Sequence, residues 1–310
     1  MKILVTGARG FVGGRLLALA AEGRWPAGIA PVAAAPDLDV TDPASVRRTL
    51  DAASDADAVL HLAGLSSVSA SWRSPEAAFR ANTVGTTVLC HALAERGFAG
   101  RLVAIGSSDC YGIVPPERLP VPETAPLAPN NPYAASKQAA EAAALQWHRS
   151  HGLKVVLVRA FNHTGPGQRA DFALPSFAQQ IARVTLGRQD RILTGDLDVT
   201  RDFLWVDDVI VSYLDLLAMG EPGQVYNVCS GQEQNLERIV ERMTRIGGCP
   251  GVVARDPARV RPQELRRSAG DPTRLRALTG RAPPPLSDDH LAALIAHWHH
   301  HEQTLAKDPQ

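Results

Sequence analysis

The chain has 310 residues, of which 45% are hydrophobic, and its 32 Lys and Arg residues equal its 32 Asp and Glu residues in number. A chain of this length can bury a substantial core in one large or two smaller domains. The balanced charge gives no electrostatic basis for binding nucleic acid or an anionic membrane surface, so we expect neither partner.

The cysteines and the apolar runs indicate the compartment. The four cysteines are scattered, and no two stand at metal-ligand spacing, so we expect reduced thiols and no metal site. The sequence opens on a hydrophobic strand without a signal-peptide layout. No apolar run approaches the ~20 residues of a membrane span. Together these features predict a soluble cytoplasmic protein.

Apolar strand-like runs alternate with amphipathic helix-like segments through the first half of the chain. The predicted strands cover 2–6, 58–62, 101–105 and 154–158, and the predicted helices cover 11–22, 75–96 and 132–150. Asn131 can cap the last helix, and Pro132 suits its first position. This alternation predicts an α/β fold with a doubly wound parallel sheet and helices on both faces. After residue 162 the pattern loosens into Pro- and Gly-rich loops.

A glycine-rich turn joins the first predicted strand to the first predicted helix, with the spacing Gly-x-x-Gly-x-x-Gly. The first glycine permits a tight turn, the second lets the backbone approach a pyrophosphate, and the third lets the helix pack closely on the strand. The helix N-terminus favours an anion. The motif therefore predicts a Rossmann-type dinucleotide site. Its predicted residues are Gly7, Arg9, Gly10, Phe11, Val12 and Gly13.

The region 29–36, where a second strand of the dinucleotide-binding unit is expected, bears on the choice of cofactor. An NAD enzyme tends to place an acid at the end of this strand, where it binds the ribose 2′-hydroxyl. The stretch 29–36 contains no acid, and Arg9 in the turn can instead meet a 2′-phosphate. We therefore favour NADP(H) and keep NAD(H) as the alternative. A solvated surface position for Arg9 is the other interpretation of that residue.

Tyr133 and Lys137 lie four residues apart in the predicted helix 132–150 and therefore share a face. An ammonium near a phenol stabilises the phenolate and can lower the tyrosine pKa by roughly one to three units. Such a tyrosine can transfer protons near neutral pH. Ser107 lies ahead of this helix and can donate a hydrogen bond. A ketone that becomes an alkoxide needs both a proton and hydrogen-bond donors, so the three residues form a candidate catalytic set.

These motifs resemble the extended short-chain dehydrogenase/reductases, the NAD-dependent epimerase/dehydratase family, over nearly the whole chain. The features that match in order and spacing are the turn at 6–13, the segment 61–64, the serine motif at 106–112 and the Tyr133-x-x-x-Lys137 pair. The strings at 161–168, 201–203, 226–231 and 261–262 resemble a branch that reduces GDP-linked 4-keto-6-deoxy-mannose. Neighbouring branches share the catalytic set, so this second match is the less specific one.

The resemblance implies a role for each member of the triad. Tyr133 would protonate the oxygen at carbon 4 as hydride arrives, Lys137 would hold the nicotinamide ribose, and Ser107 would hydrogen-bond the same oxygen. Asp39 and Val40 resemble an adenine-contacting pair, although Asp39 could equally form a turn before Thr41. The remaining cofactor contacts that the resemblance implies are Leu62, Ala63 and Gly64.

On the substrate side, a nucleotide diphosphate needs cations or backbone donors. The resemblance assigns Arg201 and Arg261 to that diphosphate, with surface salt bridges as the alternative. The same resemblance implies a further set of substrate contacts at Ser108, Asp109, Asn162 and His163. Dehydratases of similar fold use a glutamate at the position of Asp109, and the shorter aspartate favours simple reduction. Asp109 could also cap a local turn.

The resemblance also implies a division of the chain and a partner. A dinucleotide-binding domain would cover 1–163 plus about 205–230, and a smaller substrate-binding lobe would cover 164–204 and 231–310. The helices at 75–96 and 132–150 resemble those that form a four-helix homodimer interface. A simple core-facing role for their alanine-rich faces is the equal alternative.

The expected function is reduction of a 4-keto-6-deoxy nucleotide sugar, GDP-4-keto-6-deoxy-D-mannose to GDP-D-rhamnose, for deoxyhexose glycan synthesis. One alternative is a 4-epimerase or 4,6-dehydratase with tightly bound NAD, which would turn over without added NADPH. A non-catalytic dinucleotide sensor is the other alternative, but the complete Ser–Tyr–Lys set disfavours it.

Overall fold

The structure is a computed structural model that describes residues 1–25, 28–33, 37–259 and 265–305. In chain order, the first half contains β1 (Lys2–Thr6), α1 (Phe11–Ala21), β2 (Ala30–Ala33), α2 (Pro43–Ala52), β3 (Ala58–His61), α3 (Val68–Arg73), α4 (Pro75–Phe79), α5 (Gly85–Glu95), β4 (Arg101–Ile105), α6 (Pro132–His151) and β5 (Lys154–Ala160). The second half contains β6 (Asn162–Thr164), α7 (Ala173–Thr185), β7 (Ile192–Thr194), β8 (Thr200–Arg201), β9 (Phe203–Trp205), α8 (Val206–Met219), β10 (Val225–Val228), β11 (Gln234–Asn235), α9 (Leu236–Ile246), β12 (Val253–Arg255), β13 (Arg267–Ser268), α10 (Thr273–Thr279) and α11 (Asp288–Leu305).

A six-stranded parallel sheet forms the centre of the molecule, with strand order β10-β5-β4-β3-β1-β2. Its strands are short Val-, Ile- and Leu-rich runs, as expected for strands that are buried on both faces. One face packs against α1 and α8, and the other against α2, α5 and α6. The predicted α/β fold with a doubly wound parallel sheet is therefore confirmed. Because all six strands are parallel, their carboxyl ends meet at one edge, where ligands bind in such sheets.

The predicted helix over 75–96 is confirmed as a continuous helical segment over 75–95, and it contains a π-turn that was not predicted. The structure has α4, then a π-helical turn over Arg80–Val84, and then α5. A π-turn widens the backbone spiral by a residue and is found most often at functional sites. Here the wider turn includes Asn82, a buried side chain that hydrogen-bonds to the loop after β3 and to α6. The packing of this polar side chain explains the π-turn, and hydrophobic periodicity in the sequence does not reveal it.

A second hydrophobic core lies outside the sheet. It is built from α7, α9 and α11, with side chains such as Ile181, Ile239 and Leu294 fully buried between them. Short strand pairs connect this core to the sheet edge: β6 pairs with β9, and β8 pairs with β11 and β13. The loops that follow β5 therefore lie between the sheet and the second core.

Among the described residues, no helix combines the length and the apolar character that crossing a membrane requires.

Candidate active site

The glycine turn lies at the carboxyl edge of the sheet, against the backbone that follows β3. Gly7 has φ of +70°, and a Cβ placed there would lie 2.7 Å from the Ala63 nitrogen. The turn is closed by the Gly10 N–H, which donates to the Gly7 carbonyl oxygen at 2.9 Å. The predicted residues Leu62, Ala63 and Gly64 thus lie directly beside the turn. Gly7 thus lets the turn pack tightly on this backbone, and the exposed Gly10 at the N-terminus of α1 leaves a place that fits a dinucleotide pyrophosphate.

Gly13 lies at the start of α1 and faces the same turn. A Cβ on Gly13 would overlap the Gly7 carbonyl oxygen and would lie 2.8 Å from the Ala8 Cα. On Gly14, the next residue, an added Cβ would meet only the Ala8 oxygen at 3.8 Å. The helix can therefore pack onto the turn only when position 13 lacks a side chain.

Asp39 makes the turn-forming contacts that the sequence predicts as the alternative to adenine binding. Its Oδ1 accepts hydrogen bonds from the Thr41 N–H and hydroxyl, both at 2.8 Å. These bonds lower the pKa of Asp39 below its usual value. Val40 is buried against the helical segment at Gly85. Asp39 and Val40 lie near the sheet edge, and their contact with adenine stays a prediction. The contact of the exposed Arg9 with a 2′-phosphate also stays a prediction.

The three candidate catalytic residues come together at the end of β4. Ser107 follows this strand; its hydroxyl accepts from the Asp109 N–H at 3.2 Å and lies close enough to the Tyr133 phenol to lower the pKa of that phenol. The Lys137 Nζ donates to the Ile105 carbonyl oxygen at 2.8 Å, one helical turn beyond Tyr133. The Asn131 side chain caps α6 through the Ala134 N–H at 2.8 Å, as predicted. The structure therefore brings a hydroxyl, a phenol and an ammonium to one point of the sheet edge.

The prediction that Lys137 lowers the tyrosine pKa is wrong for this arrangement. Burial, followed by the nearby carboxylate of Asp109, raises the pKa of Tyr133, and the hydrogen bond from Ser107 opposes the rise. A buried phenolate loses hydration that a single neighbouring charge does not replace. Tyr133 is therefore neutral, as a proton donor must be, but without substrate and cofactor it is a weaker acid than an ordinary tyrosine.

Buried hydrogen bonds missed by the sequence analysis hold the N-terminal end of α6. The Tyr133 N–H donates to the Ser71 Oγ at 3.1 Å, and the Tyr133 carbonyl accepts from Ser136 at 2.8 Å. Asn82 Nδ2 in turn donates to the Ser136 Oγ at 2.9 Å. Helical periodicity gives no signal for such a polar cluster, because its members come from three separate segments.

The Lys137 ammonium makes the stability of the fold depend on pH. Burial lowers the pKa of Lys137 from 10.5 to about 8. Between these two values the unfolded state binds more protons than the folded state, so the free energy of unfolding rises with pH. We expect the stability of the wild type relative to Lys137→Met to increase from pH 8 to pH 10 in urea unfolding.

Lys154→Met, at an exposed lysine of β5, is the control for this measurement. A wild-type-minus-Lys137→Met difference that stays flat over the same pH range would contradict the burial of the ammonium.

The predicted substrate residues lie on segments around this point. Ser108 and Asp109 begin the 3₁₀ turn Ser108–Tyr111, whose N-cap is Ser107. Asn162 is exposed on β6, beside Phe203 of β9, and Arg201 lies two residues before Phe203. The buried carboxylate of Asp202 accepts hydrogen bonds from Ser230 and from the Gly231 N–H. Arg261 lies outside the described residues.

His163 links the cofactor turn to the substrate side. Its ring stacks on Phe11 with centroids 6.0 Å apart and planes 11° from parallel. Its Nδ1 lies 2.9 Å from the Phe161 carbonyl oxygen, so Nδ1 carries the proton. Burial lowers the pKa of His163, so the ring stays neutral near pH 7. The predicted cofactor residue Phe11 and the predicted substrate residue His163 are therefore in contact.

Comparisons with known proteins extend over nearly the whole chain. Residues 3–229 match the family described as the NAD dependent epimerase/dehydratase family. The chain is 42% identical over 298 residues to GDP-6-deoxy-D-mannose reductase of Pseudomonas aeruginosa, and the alignment covers 96% of this chain and 97% of that protein. It is 31% identical over 305 residues to dTDP-glucose 4,6-dehydratase of Streptomyces niveus, and this alignment covers 91% of this chain and 88% of the dehydratase. The solved structure of RMD from Pseudomonas aeruginosa complexed with NADPH is 40% identical and has a TM-score of 0.90, with 97% and 99% covered.

Proposed function

We propose that this chain, which belongs to the NAD dependent epimerase/dehydratase family, reduces the 4-keto group of GDP-4-keto-6-deoxy-D-mannose with NADPH to form GDP-D-rhamnose. The observation that carries this function is the 42% identity to a GDP-6-deoxy-D-mannose reductase over 96% of the chain. The cluster of Ser107, Tyr133 and Lys137 at the sheet edge supplies the groups that a ketone reduction requires. The product would serve deoxyhexose glycan synthesis.

NADPH is the favoured cofactor, and NADH is the alternative. The RMD structure with 40% identity contains NADPH. In this chain the turn at Gly7, Gly10 and Gly13 would hold the pyrophosphate through backbone N–H groups and the N-terminus of α1. When bound, the cofactor supplies the hydride that reduces carbon 4.

The residues of the chain handle the proton and the developing charge. Tyr133, kept protonated by burial, gives its proton to the oxygen at carbon 4 as that oxygen becomes an alkoxide. Ser107, which lies beside the phenol, donates to the same oxygen. Lys137 remains mostly charged at pH 7, since its pKa is about 8, and its ammonium would hold the nicotinamide ribose of the bound cofactor.

We assign cofactor binding to 1–163 with about 205–230, and sugar binding to 164–204 and 231–310. In support, the first set of residues contains the whole six-stranded sheet, including β10, and the second contains the separate core of α7, α9 and α11. Arg201 and Arg261 would bind the diphosphate, Asn162 would contact the diphosphate or the sugar, and His163 would line the sugar pocket. All four cysteines are free and buried, which suits a cytoplasmic location.

The assay that tests this function supplies the purified protein with NADPH and a panel of 4-keto nucleotide sugars, with products assigned by NMR. We expect NADPH consumption and one 4-hydroxy product from the GDP-linked 4-keto-6-deoxy sugar. The epimerase or dehydratase alternative instead predicts protein that carries bound dinucleotide and turns over without added NADPH. No NADPH consumption with any member of the panel would contradict the reductase.

Arg9→Ala is expected to raise the Michaelis constant for NADPH at least about tenfold more than that for NADH, because a 2′-phosphate pairs with a guanidinium and a hydroxyl does not. Steady-state kinetics with both cofactors measure the ratio. Arg149→Ala, at an exposed arginine near the C-terminal end of α6, is the matched control and should leave both constants unchanged. Equal effects of Arg9→Ala on the Michaelis constants for the two cofactors would contradict a contact between Arg9 and the 2′-phosphate.

We propose a homodimer that pairs α6 and the helices around the π-turn into a four-helix bundle. Large apolar side chains are exposed along this surface: Trp72 is 59% exposed, Phe79 is 38% and Val84 is 46%. Ala142 adds a small exposed position on α6, where two helices can approach closely.

In light scattering after gel filtration, the wild type should therefore have twice the mass of one chain, and Val84→Asp should have the mass of one chain. Val253→Asp, at a valine that is 37% exposed on β12, should stay a dimer. A dimeric Val84→Asp variant would exclude this surface as the interface.

A further inference from the structure

Arg159 is a buried cation next to the candidate catalytic residues, and the sequence analysis did not single it out. It lies at the carboxyl end of β5 and is 4% exposed. Its Nε donates to Glu141 Oε2 at 3.1 Å, and its Nη2 also contacts the Glu141 carboxylate. Its Nη1 donates to the Tyr111 hydroxyl at 3.0 Å. One guanidinium thus joins α6 to the turn after β4.

The strand β5 holds both ends of the turn that carries Ser107. At the start of the turn, the Gly106 N–H donates to the Val158 carbonyl oxygen at 2.6 Å. At its end, the Tyr111 hydroxyl accepts from Arg159, the residue after Val158. The Arg159 guanidinium carbon also lies 4.9 Å from the centre of the Tyr111 ring. Ser107 and Asp109 lie between these two attachment points.

The same guanidinium fixes the helix that carries the other two candidate catalytic residues. Tyr133, Lys137 and Glu141 follow one another at intervals of four residues and therefore share a face of α6. Glu141 is 7% exposed, and its carboxylate faces Arg159. The ion pair thereby sets how far α6 reaches along β5, and with it the position of Tyr133.

The remaining donors and acceptors of this cluster are also paired, which makes the connection stiff. The Tyr111 hydroxyl donates to Asn227 Oδ1 at 2.7 Å, and Asn227 Nδ2 donates to the Val121 carbonyl at 2.9 Å. Arg159 Nη1 also donates to the Glu123 carbonyl at 2.9 Å. A buried network in which the members satisfy one another permits a single arrangement, whereas loss of one member leaves a costly unpaired group.

We propose that Arg159 is a positioning residue that sets the separation between the turn carrying Ser107 and the helix face carrying Tyr133 and Lys137. Ser107 and Tyr133 must meet the same substrate oxygen, so a small shift between turn and helix would separate the hydrogen-bond donor from the proton donor. Displacements of about 1 Å can reduce turnover by roughly 100-fold. The planar guanidinium suits this role, because it binds a carboxylate with two nitrogens and still has a third for Tyr111. The inference rests on the proposed reduction.

The test uses the full-length protein with Tyr111→Phe, Glu141→Gln and the double variant. We expect each single variant to lower kcat by about 10- to 100-fold. Their Kd for NADPH, measured by fluorescence titration, should stay within about twofold, because the turn at Gly7–Gly13 lies on another strand. The loss in the double variant should be smaller than the product of the single losses, since both groups act through one guanidinium.

Two matched controls remove similar groups elsewhere. Tyr226→Phe removes a buried tyrosine whose hydroxyl accepts from the Glu221 N–H at 3.2 Å. Glu302→Gln neutralises a buried carboxylate that accepts from Arg183 at 3.0 Å between α7 and α11. Both controls can lower the melting temperature, but they should keep the wild-type kcat. A kcat within about twofold of wild type in both Tyr111→Phe and Glu141→Gln, or a double loss equal to the product, would overturn the positioning role.

Hydrogen exchange of the 106–112 peptide gives a readout that does not depend on turnover. Exchange should speed up in Tyr111→Phe and Glu141→Gln and stay unchanged in Tyr226→Phe. If wild-type protein failed to oxidise NADPH with any 4-keto sugar, the proposed function would fail while this measurement still decided the role of Arg159. Unchanged exchange in both variants would overturn the inference, and Tyr111→Phe, which removes a single oxygen, keeps the test decisive if Glu141→Gln does not fold.

Discussion

Tyr133→Phe is expected to lower kcat by roughly 10²- to 10⁴-fold while the affinity for NADPH stays within about twofold. The substitution removes only the phenolic oxygen, which carries the proton for the substrate and lies beside Ser107. Burial raises the pKa of Tyr133, so the wild-type side chain is protonated over the neutral range and acts as the acid in the direction of reduction.

The measurement combines stopped-flow NADPH oxidation under single-turnover conditions with fluorescence titration of NADPH. Tyr226→Phe, the same chemical change at a tyrosine whose hydroxyl bonds to the Glu221 N–H, should turn over like the wild type. A Tyr133→Phe variant that kept more than about a tenth of the wild-type rate would mean that another group supplies the proton.

Gly13→Ala is expected to weaken NADPH binding by at least about tenfold and to lower the free energy of unfolding by about 1–3 kcal/mol. The added Cβ would overlap the Gly7 carbonyl oxygen and lie 2.8 Å from the Ala8 Cα. These contacts are backbone atoms, which cannot rotate away as a side chain can. The helix must therefore move off the turn, and the backbone N–H groups that face the pyrophosphate move with it.

Gly14→Ala is the control for this prediction, one residue further along α1. The nearest atom to its added Cβ is the Ala8 oxygen at 3.8 Å, an ordinary contact distance. Alanine favours a helix over glycine by about 0.5–1 kcal/mol, so Gly14→Ala should be neutral or stabilising and should bind NADPH normally. Urea unfolding and NADPH titration measure both variants. Equal behaviour of the two variants would exclude the close approach of helix and turn.

Most of the site was predictable because its residues act through short sequence spacings. Gly7, Gly10 and Gly13 form one turn, and Tyr133 and Lys137 lie one helical turn apart. Local geometry follows from such spacings whatever the rest of the chain does. The position of Ser107 beside Tyr133 depends on distant parts of the chain, because it brings the end of β4 next to α6; the sequence predicted Ser107 as a member of the set, and the resemblance to a family implied its contact with the same substrate oxygen.

The direction of the Tyr133 pKa shift was not predictable from the sequence. A phenol and an ammonium at a spacing of four suggest a lowered value, but the structure buries the phenol and places Asp109 near it, and the pKa rises. Desolvation depends on what covers a side chain, which no local pattern specifies. The π-turn at Asn82 was missed for a similar reason, since the groups it binds come from distant segments.

The sequence by itself determined most strands and helices of the first half, the cofactor turn and the helix face that carries the phenol and the ammonium, because each depends on neighbours a few residues apart. Only the tertiary structure decided which buried groups lie between those elements. Arg159 meets Glu141 and Tyr111 across 18 and 48 residues of chain. Contacts over such separations arise from the packing of the whole sheet, and that packing fixes how far Ser107 lies from Tyr133.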